Sequence, residues 1–239
     1  MQRKEEVINE KSESYREPHF KWIDQVVDEN GLITLGPLTS ASFITDPKSL
    51  LFRAARYKFV AKMLEGQEEV LEIGCGDASM SPIVKQVVHR LTAIDNDQKM
   101  ISYAIENNQR HFDINFKCID IVGSNDLPQF NAVYSLDVLE HIPPQFESDF
   151  LSSCVNLLKE DGIFIVGTPS LAAQKFTTDA NKEGHVNCKS NSELRDSLRI
   201  YFANVFTFGM NDEMLHTGFS EFRNYLFAIC TNPRKLVQN

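Results

Sequence analysis

Three carboxylates and a glycine pair in the first part of the chain mark a place for a nucleoside, and three histidines further on supply groups that exchange protons near neutrality. The glycines lie in Val70-Leu71-Glu72-Ile73-Gly74-Cys75-Gly76-Asp77, where an apolar run gives way to two glycines one residue apart. Such glycines permit positive φ and close backbone approach, and a helix expected to begin near Asp77 would turn its free N–H groups toward the loop. A dinucleotide fingerprint carries a further glycine at position 79, which here is Ser. Glu72 repels a diphosphate and favours a cationic ligand. Asp95 ends the run Arg90-Leu91-Thr92-Ala93-Ile94 about twenty residues beyond the glycines, where a carboxylate accepts hydrogen bonds from both ribose hydroxyls. Asn96 and Asp97 follow it as helix caps.

S-adenosylmethionine carries an ammonium and a sulfonium and no phosphate, so an acidic first loop suits it on charge grounds. Further apolar runs extend the pattern. Phe116-Lys117-Cys118-Ile119 ends at Asp120, and Asn131-Ala132-Val133-Tyr134-Ser135 leads into Leu136-Asp137-Val138-Leu139-Glu140-His141. A fifth run, Gly162 to Thr168, follows the helix-forming stretch Phe146 to Leu158. On these motifs, the segment from Val70 to about Ser170 resembles the class I S-adenosylmethionine-dependent methyltransferases of the small-molecule, type 11-like kind. Their first motif reads acidic-x-Gly-x-Gly-x-Gly, with Ala78 standing here at the third glycine.

The resemblance implies an α/β fold: a Rossmann-like, seven-stranded, mostly parallel sheet with helices on both faces and an antiparallel last strand. It implies S-adenosyl-L-methionine as cofactor and S-adenosyl-L-homocysteine as product. Glu72, Gly74, Gly76, Asp95, Asn96, Asp120, Ile121, Ser135 and Leu136 would hold the cofactor, with Asp120 on the adenine amino group and Ile121 on the ring. A leading helix would send Arg56, or Arg53, to the methionine carboxylate. The runs Asn204 to Phe208 and Phe222 to Ile229 would form the sixth and seventh strands, beside the fifth.

Methyl transfer is an in-line displacement in which alignment and exclusion of water supply much of the rate. A hydroxyl acceptor also needs a general base, and His185, His141 and His216 are the candidates. Asp137, Glu140 and His141 share one face at i, i+3, i+4 if the segment is helical. The trio resembles the acidic-x-x-Glu-His cluster of ubiquinone-pathway O-methyltransferases, where a divalent ion can bind. Asp in place of the first Glu shortens the reach, and no metal is assigned.

The elements that position these groups divide the 239 residues into an N-terminal helical extension or lid, 1–60, and a cofactor-binding domain, 61–239, with a substrate loop at about 171–192. Residues 1 to about 17 read as a mobile polar tail, and Phe20 to Val27 as a short amphipathic helix, with breaks at Asn30-Gly31 and Gly36-Pro37. Asp46-Pro47 opens a longer helix whose core stripe is Leu50, Leu51, Ala54, Ala55, Phe59, Val60, Met63 and Leu64, with Arg53, Arg56 and Tyr57 off it.

A formal net charge of −9 without a basic stripe disfavours nucleic acid as a partner. Five cysteines without paired spacing argue against zinc or disulfides, and no stretch has the apolar length of a membrane span. With no apolar signal core near Met1, a soluble cytoplasmic setting is expected. The expected activity is methylation, at oxygen, of a small polar metabolite, with the motif style and Gly184-His185-Val186-Asn187 pointing weakly to a sugar or nucleotide-linked acceptor. A noncatalytic S-adenosylmethionine-binding module is the rival reading, and a nicotinamide oxidoreductase is disfavoured by Glu72 and Ser79.

Overall fold

The structure is a computed structural model and describes residues 17–108, 111–122 and 127–234. The tail expected over residues 1–16 lies outside them. The chain divides between Thr34 and Leu35 into two compact units. This differs from the division expected at residue 60: residues 35–60 pack with the larger unit. In the smaller unit, helix α1 (Lys21–Asn30) ends at Gly31, whose φ of 77° suits the absence of a Cβ.

The larger unit is built on an eight-stranded sheet. Its helices are α2 (Pro37–Thr45), α3 (Lys48–Met63), α4 (Ser81–Lys85), α5 (Gln98–Asn108), α6 (Glu147–Asn156), α7 (Asp179–Gly184) and α8 (Asn191–Tyr201). Its strands are β1 (Glu69–Ile73), β2 (Arg90–Asp95), β3 (Ile114–Cys118), β4 (Phe130–Leu136), β5 (Leu158–Pro169), β6 (Phe202–Asn211), β7 (Met214–His216) and β8 (Tyr225–Pro233). Their order across the sheet is β3-β2-β1-β4-β5-β8-β6-β7. The first five in that order are parallel, and β8, β6 and β7 add antiparallel. The Rossmann-like expectation holds. The eighth strand is β7, a hairpin return lying between the two runs expected as the last strands, with Asp212 at φ 51° in the turn.

Strand parity sorts side chains between two cores. Val70, Ala93, Tyr134 and Phe227 face one side, under Tyr57, Phe59 and Val60 of α3. Leu71, Ile73, Val133, Val166 and Leu226 face the other, under Phe150 and Leu151 of α6 and Leu194 and Leu198 of α8. Burial on both faces explains why the central strands read as continuous apolar runs. The order reverses at β1, whose successors lie on opposite sides of it, so a crevice opens at the carboxyl ends of β1 and β4.

Several local expectations change. Gly36-Pro37, read as a break, starts α2, because proline at the first helical position costs no hydrogen bond. Within α3, Leu51 and Met63 are exposed and Tyr57 is buried, so the inward face is rotated from the expected stripe. The helix expected at Asp77 begins instead at Ser81 and spans five residues. The segment 171–192 is not an irregular loop: it holds a 3-10 turn at Leu171–Phe176 and then α7, which Thr178 caps by accepting the Asn181 N–H.

Candidate active site

The loop after β1 turns on glycine. Gly74 and Gly76 have φ of 77° and 55°, and a Cβ on Gly74 would collide with Val138 Cγ2. The N–H groups of Gly74 and Cys75 both donate to Ile94 O, at 2.8 and 3.0 Å. Asp95 completes the binding of the loop: Oδ2 accepts the Gly76 N–H and Oδ1 the Asp97 N–H, both at 2.9 Å. Ala78 also adopts the left-handed region, φ 53°, at the position where the resembled motif has its third glycine.

Asp77 does not start the following helix but reaches across to α2. Its Oδ2 accepts the Thr39 N–H at 2.7 Å and its Oδ1 the Thr39 hydroxyl at 2.9 Å, which caps the first turn of α2 from a distant part of the chain. The Gly36 N–H donates to Ser79 Oγ at 3.0 Å, and a Leu38 methyl carbon lies 3.3 Å from where a Cβ on Gly76 would stand. Helix α2 therefore covers the glycine loop.

Glu72 is 1% exposed and points beneath the loop. It shares a strand face with Val70, and its Oε1 accepts the Tyr57 hydroxyl at 2.7 Å. Burial, above all, pushes its carboxyl above the usual range, against the hydroxyls of Ser81, Tyr57 and Tyr134, which favour the ionised form. Direct contact between Glu72 and a ligand, the expectation from sequence, does not match this placement.

A cleft of about 920 Å³ opens from the glycine loop along the ends of β1 and β4. Among the expected cofactor residues, Gly74, Gly76, Leu136 and Arg56 line it. Asp95, Asn96, Asp120, Ile121, Ser135 and Glu72 do not. Asp120 and Asn96 are exposed, with Asp120 Oδ1 accepting the Val122 N–H at 3.0 Å. Ile121 and Ser135 are buried. Arg56 gives its Nη1 to both oxygens of Asp137, at 2.9 and 2.8 Å, and its guanidinium stacks 3.9 Å from the Tyr225 ring centroid. Arg53 also lines the cleft, donating to the hydroxyls of Thr39 and Ser42 at 3.2 and 3.1 Å.

Residues 70–162 match the family model of a methyltransferase domain. A probable S-adenosylmethionine-dependent methyltransferase of Mycolicibacterium smegmatis is 26% identical over 59% of this chain and 55% of its own. The ubiquinone biosynthesis O-methyltransferase of Coxiella burnetii is 28% identical over 49% of this chain and 51% of its own. Over this segment the chain is similar to S-adenosylmethionine-dependent methyltransferases. It spans about half the length of these curated relatives. The fold is shared with the N-methyltransferase NodS of Bradyrhizobium japonicum, solved with S-adenosylhomocysteine, at a TM-score of 0.58 and 19% identity over 76% of this chain and 86% of that one.

The same cleft is lined by two of the three candidate histidines. His141 ends a 3-10 turn, Leu139–His141, that leaves β4, and His185 follows α7. Their ring centroids are 5.1 Å apart. His141 Nδ1 lies 2.9 Å from Gly184 O, and His185 Nδ1 lies 3.0 Å from Gln174 Oε1. Both partners are acceptors, so each Nδ1 is the donor in these contacts and each Nε2 takes no part in them. Gln174 Nε2 donates to Ser170 O at 3.4 Å, which orients the amide. Burial, then the neighbouring His141, lowers the His185 pKa.

His216 lies on β7 and does not line the cleft. Its Nδ1 accepts the Gly218 N–H at 3.1 Å. The helical trio Asp137, Glu140, His141 does not form either, because Asp137 sits at φ 57° and is engaged by Arg56. Glu140 is 1% exposed, accepts the Thr168 hydroxyl at 2.9 Å, and has its carboxyl pushed up to about 8 by burial and by Asp137. Gln174, Gly184 and Asp77 gain roles that only three-dimensional proximity reveals.

Proposed function

We propose that this chain binds S-adenosyl-L-methionine at the crevice between β1 and β4 and transfers its methyl group to a small polar acceptor at an oxygen. The observation that carries the reading is the cleft itself: one wall is the loop of Gly74 and Gly76 and the opposite wall presents two imidazoles. The fit rests on Gly74 and Gly76, whose positive φ turns the loop backbone along the cleft, and on the acidic character of Glu72, Asp77 and Asp95 around it. Gly74, Gly76, Leu136 and Arg53 would hold the methionyl part, with Arg53 favoured over Arg56 because Arg56 is already paired with Asp137. Asp95, at the end of β2, and Asp120, just after β3, would meet the ribose and the adenine.

When bound, S-adenosylmethionine supplies an electrophilic methyl group on a sulfonium. The chain's own residues exclude water and position the acceptor. His185 Nε2, held neutral by burial and oriented through Gln174, takes the hydroxyl proton, with His141 as the second candidate base. The polar lining of Gln174, Thr178, Asn181 and Asn224 suits a hydroxyl-bearing acceptor such as a sugar or a nucleotide-linked metabolite. Calorimetry with S-adenosylhomocysteine tests the cofactor claim: one site is expected, and no heat at high micromolar ligand overturns it. Incubating the protein and labelled cofactor with small-molecule and macromolecular fractions of cell extract then tests transfer. Label in no fraction would favour a noncatalytic binding module.

A further inference from the structure

We propose that Asn187 and Glu147 are positioning residues for the two imidazoles, forming a polar tie behind the cleft wall that sets where His185 stands relative to His141. The chain leaves the sheet after β5 and returns before α8, and the two ends of this excursion close on each other. The Leu171 N–H donates to Lys189 O at 2.8 Å, and Ser170 and Lys189 form a parallel β-bridge. A loop held only at its neck is free to swing about it. His185 and its partner Gln174 lie beyond that neck, so their place needs a second fixed point.

Asn187 supplies it. The residue is buried, its Nδ2 donates to Glu147 Oε2 at 2.8 Å, and its backbone N–H donates to Glu140 O at 2.9 Å. His141 follows Glu140 directly and His185 precedes Asn187 by two residues, so one asparagine joins the backbones that carry both rings. On the other side of His185, Gly184 O takes the His141 Nδ1 contact. The imidazole pair is therefore held from both sides of His185.

Glu147 fixes this tie to the core. It is the first residue of α6, whose Phe150 and Leu151 are buried against the sheet. The same Oε2 accepts the Lys189 ammonium at 2.7 Å, with both side chains 13% exposed. Burial works against the charge on this carboxyl, but the hydrogen bonds from Lys189 and Asn187 prevail and hold it below the usual range. A buried ion pair adds little stability over apolar contacts of the same size. What it adds here is direction: one oxygen takes a donor from the neck and a donor from the turn beside His185. Neither Asn187 nor Glu147 lines the cleft, so both act through the histidines. That the rings accept the proton rests on the function proposed above; the tie itself does not.

The test needs no acceptor. The full chain, with isotope-labelled histidine, is followed by long-range proton–nitrogen correlation spectra through the histidine titration, which read the tautomer and pKa of each ring. His185→Asn and His141→Asn assign the signals. Asn187→Ala, which leaves the Lys189–Glu147 pair intact, and Glu147→Ala are expected to raise the His185 pKa toward the ordinary histidine value and to mix its neutral tautomers, because the ring loses its burial and its alignment with Gln174. Glu147→Gln, which keeps an oxygen for both donors, should restore the wild-type signals, and those of His89 at the surface should not move in any variant. Cooperative thermal melting certifies the fold of each variant; if Glu147→Ala does not fold, Asn187→Ala decides alone. Folded variants whose His185 and His141 signals stay at their wild-type positions overturn the proposal, since a tie that only stabilises the fold would lower the melting temperature and move neither ring. Titration of the same samples with S-adenosylhomocysteine tests the cofactor reading separately: a wild type that binds none overturns that reading and leaves the histidine signals decisive for the tie.

Discussion

The two walls of the cleft are made of different material. The glycine-loop wall is backbone: Gly74, Cys75 and Gly76 donate amides to Ile94 and Asp95, and Asp77 accepts from α2. The opposite wall is side chain: His141, His185, Gln174 and Glu140, brought together from 139–141 and 171–188. A wall of backbone fits a ligand part that never changes, and a wall of side chains can be refitted to a different acceptor without disturbing the sheet. On the proposed function, the contrast puts cofactor binding on one side and chemistry on the other.

The largest effect should come from breaking the backbone wall. Gly74→Ala places a methyl group against Val138 at a φ of 77°, and is expected to destabilise the fold by about 3 kcal/mol or more and to abolish S-adenosylhomocysteine binding. Calorimetry and thermal melting would check both. A loss of acceptor turnover with normal S-adenosylhomocysteine affinity would erase the contrast. On the side-chain wall the signs reverse. His185→Asn should slow methyl transfer by roughly 100-fold or more while shifting stability by about 0.5 kcal/mol or less. The wild-type rate should fall on the acid side, below the usual histidine range, because the base must be neutral and its pKa is lowered. The variant should lose that limb of the profile.

Asp77→Ala removes the cap on α2 and is expected to cost about 1–2 kcal/mol, with weaker S-adenosylhomocysteine binding and an unchanged acceptor KM. The smallest effect concerns Glu72 and appears in pH dependence. Its folded carboxyl holds a proton more tightly than the usual value of 4.5, so its contribution to stability is complete below the unfolded-state value and is lost as pH rises through the folded-state one. Comparing thermal melts of the wild type and Glu72→Gln across this range should show the wild type losing stability relative to the variant as pH increases. A parallel pair of curves would mean that the carboxyl is not perturbed.

The same contrast explains what could be read from the sequence. The strands, their order of succession and the glycine loop were legible because their determinants are local: two glycines, an apolar run and a carboxylate at the next strand end. The loop motif alone does not place Glu72, because strand parity puts it on the face of Val70 and under Tyr57. Helix α2 was hidden because Gly36-Pro37 reads equally as a break or as a helix start. Of the side-chain wall, the histidines could be named as candidates, but nothing in the spacing could pair His141 with His185, put His216 on β7 outside the cleft lining or divert Asp137 to Arg56. Those outcomes depend on how distant segments fold back on one another.

Asp77 and Ser79 bind the start of α2 to the loop, and the larger unit begins at Leu35, immediately before it. An expression clone opening at residue 35 would therefore keep the roof over Gly76. One opening at residue 46 would strip the roof away, leave Asp77 without both donors from Thr39, and expose the cradle to solvent. The boundary for crystallography or engineering is consequently dictated by one aspartate in the loop rather than by where the sheet begins.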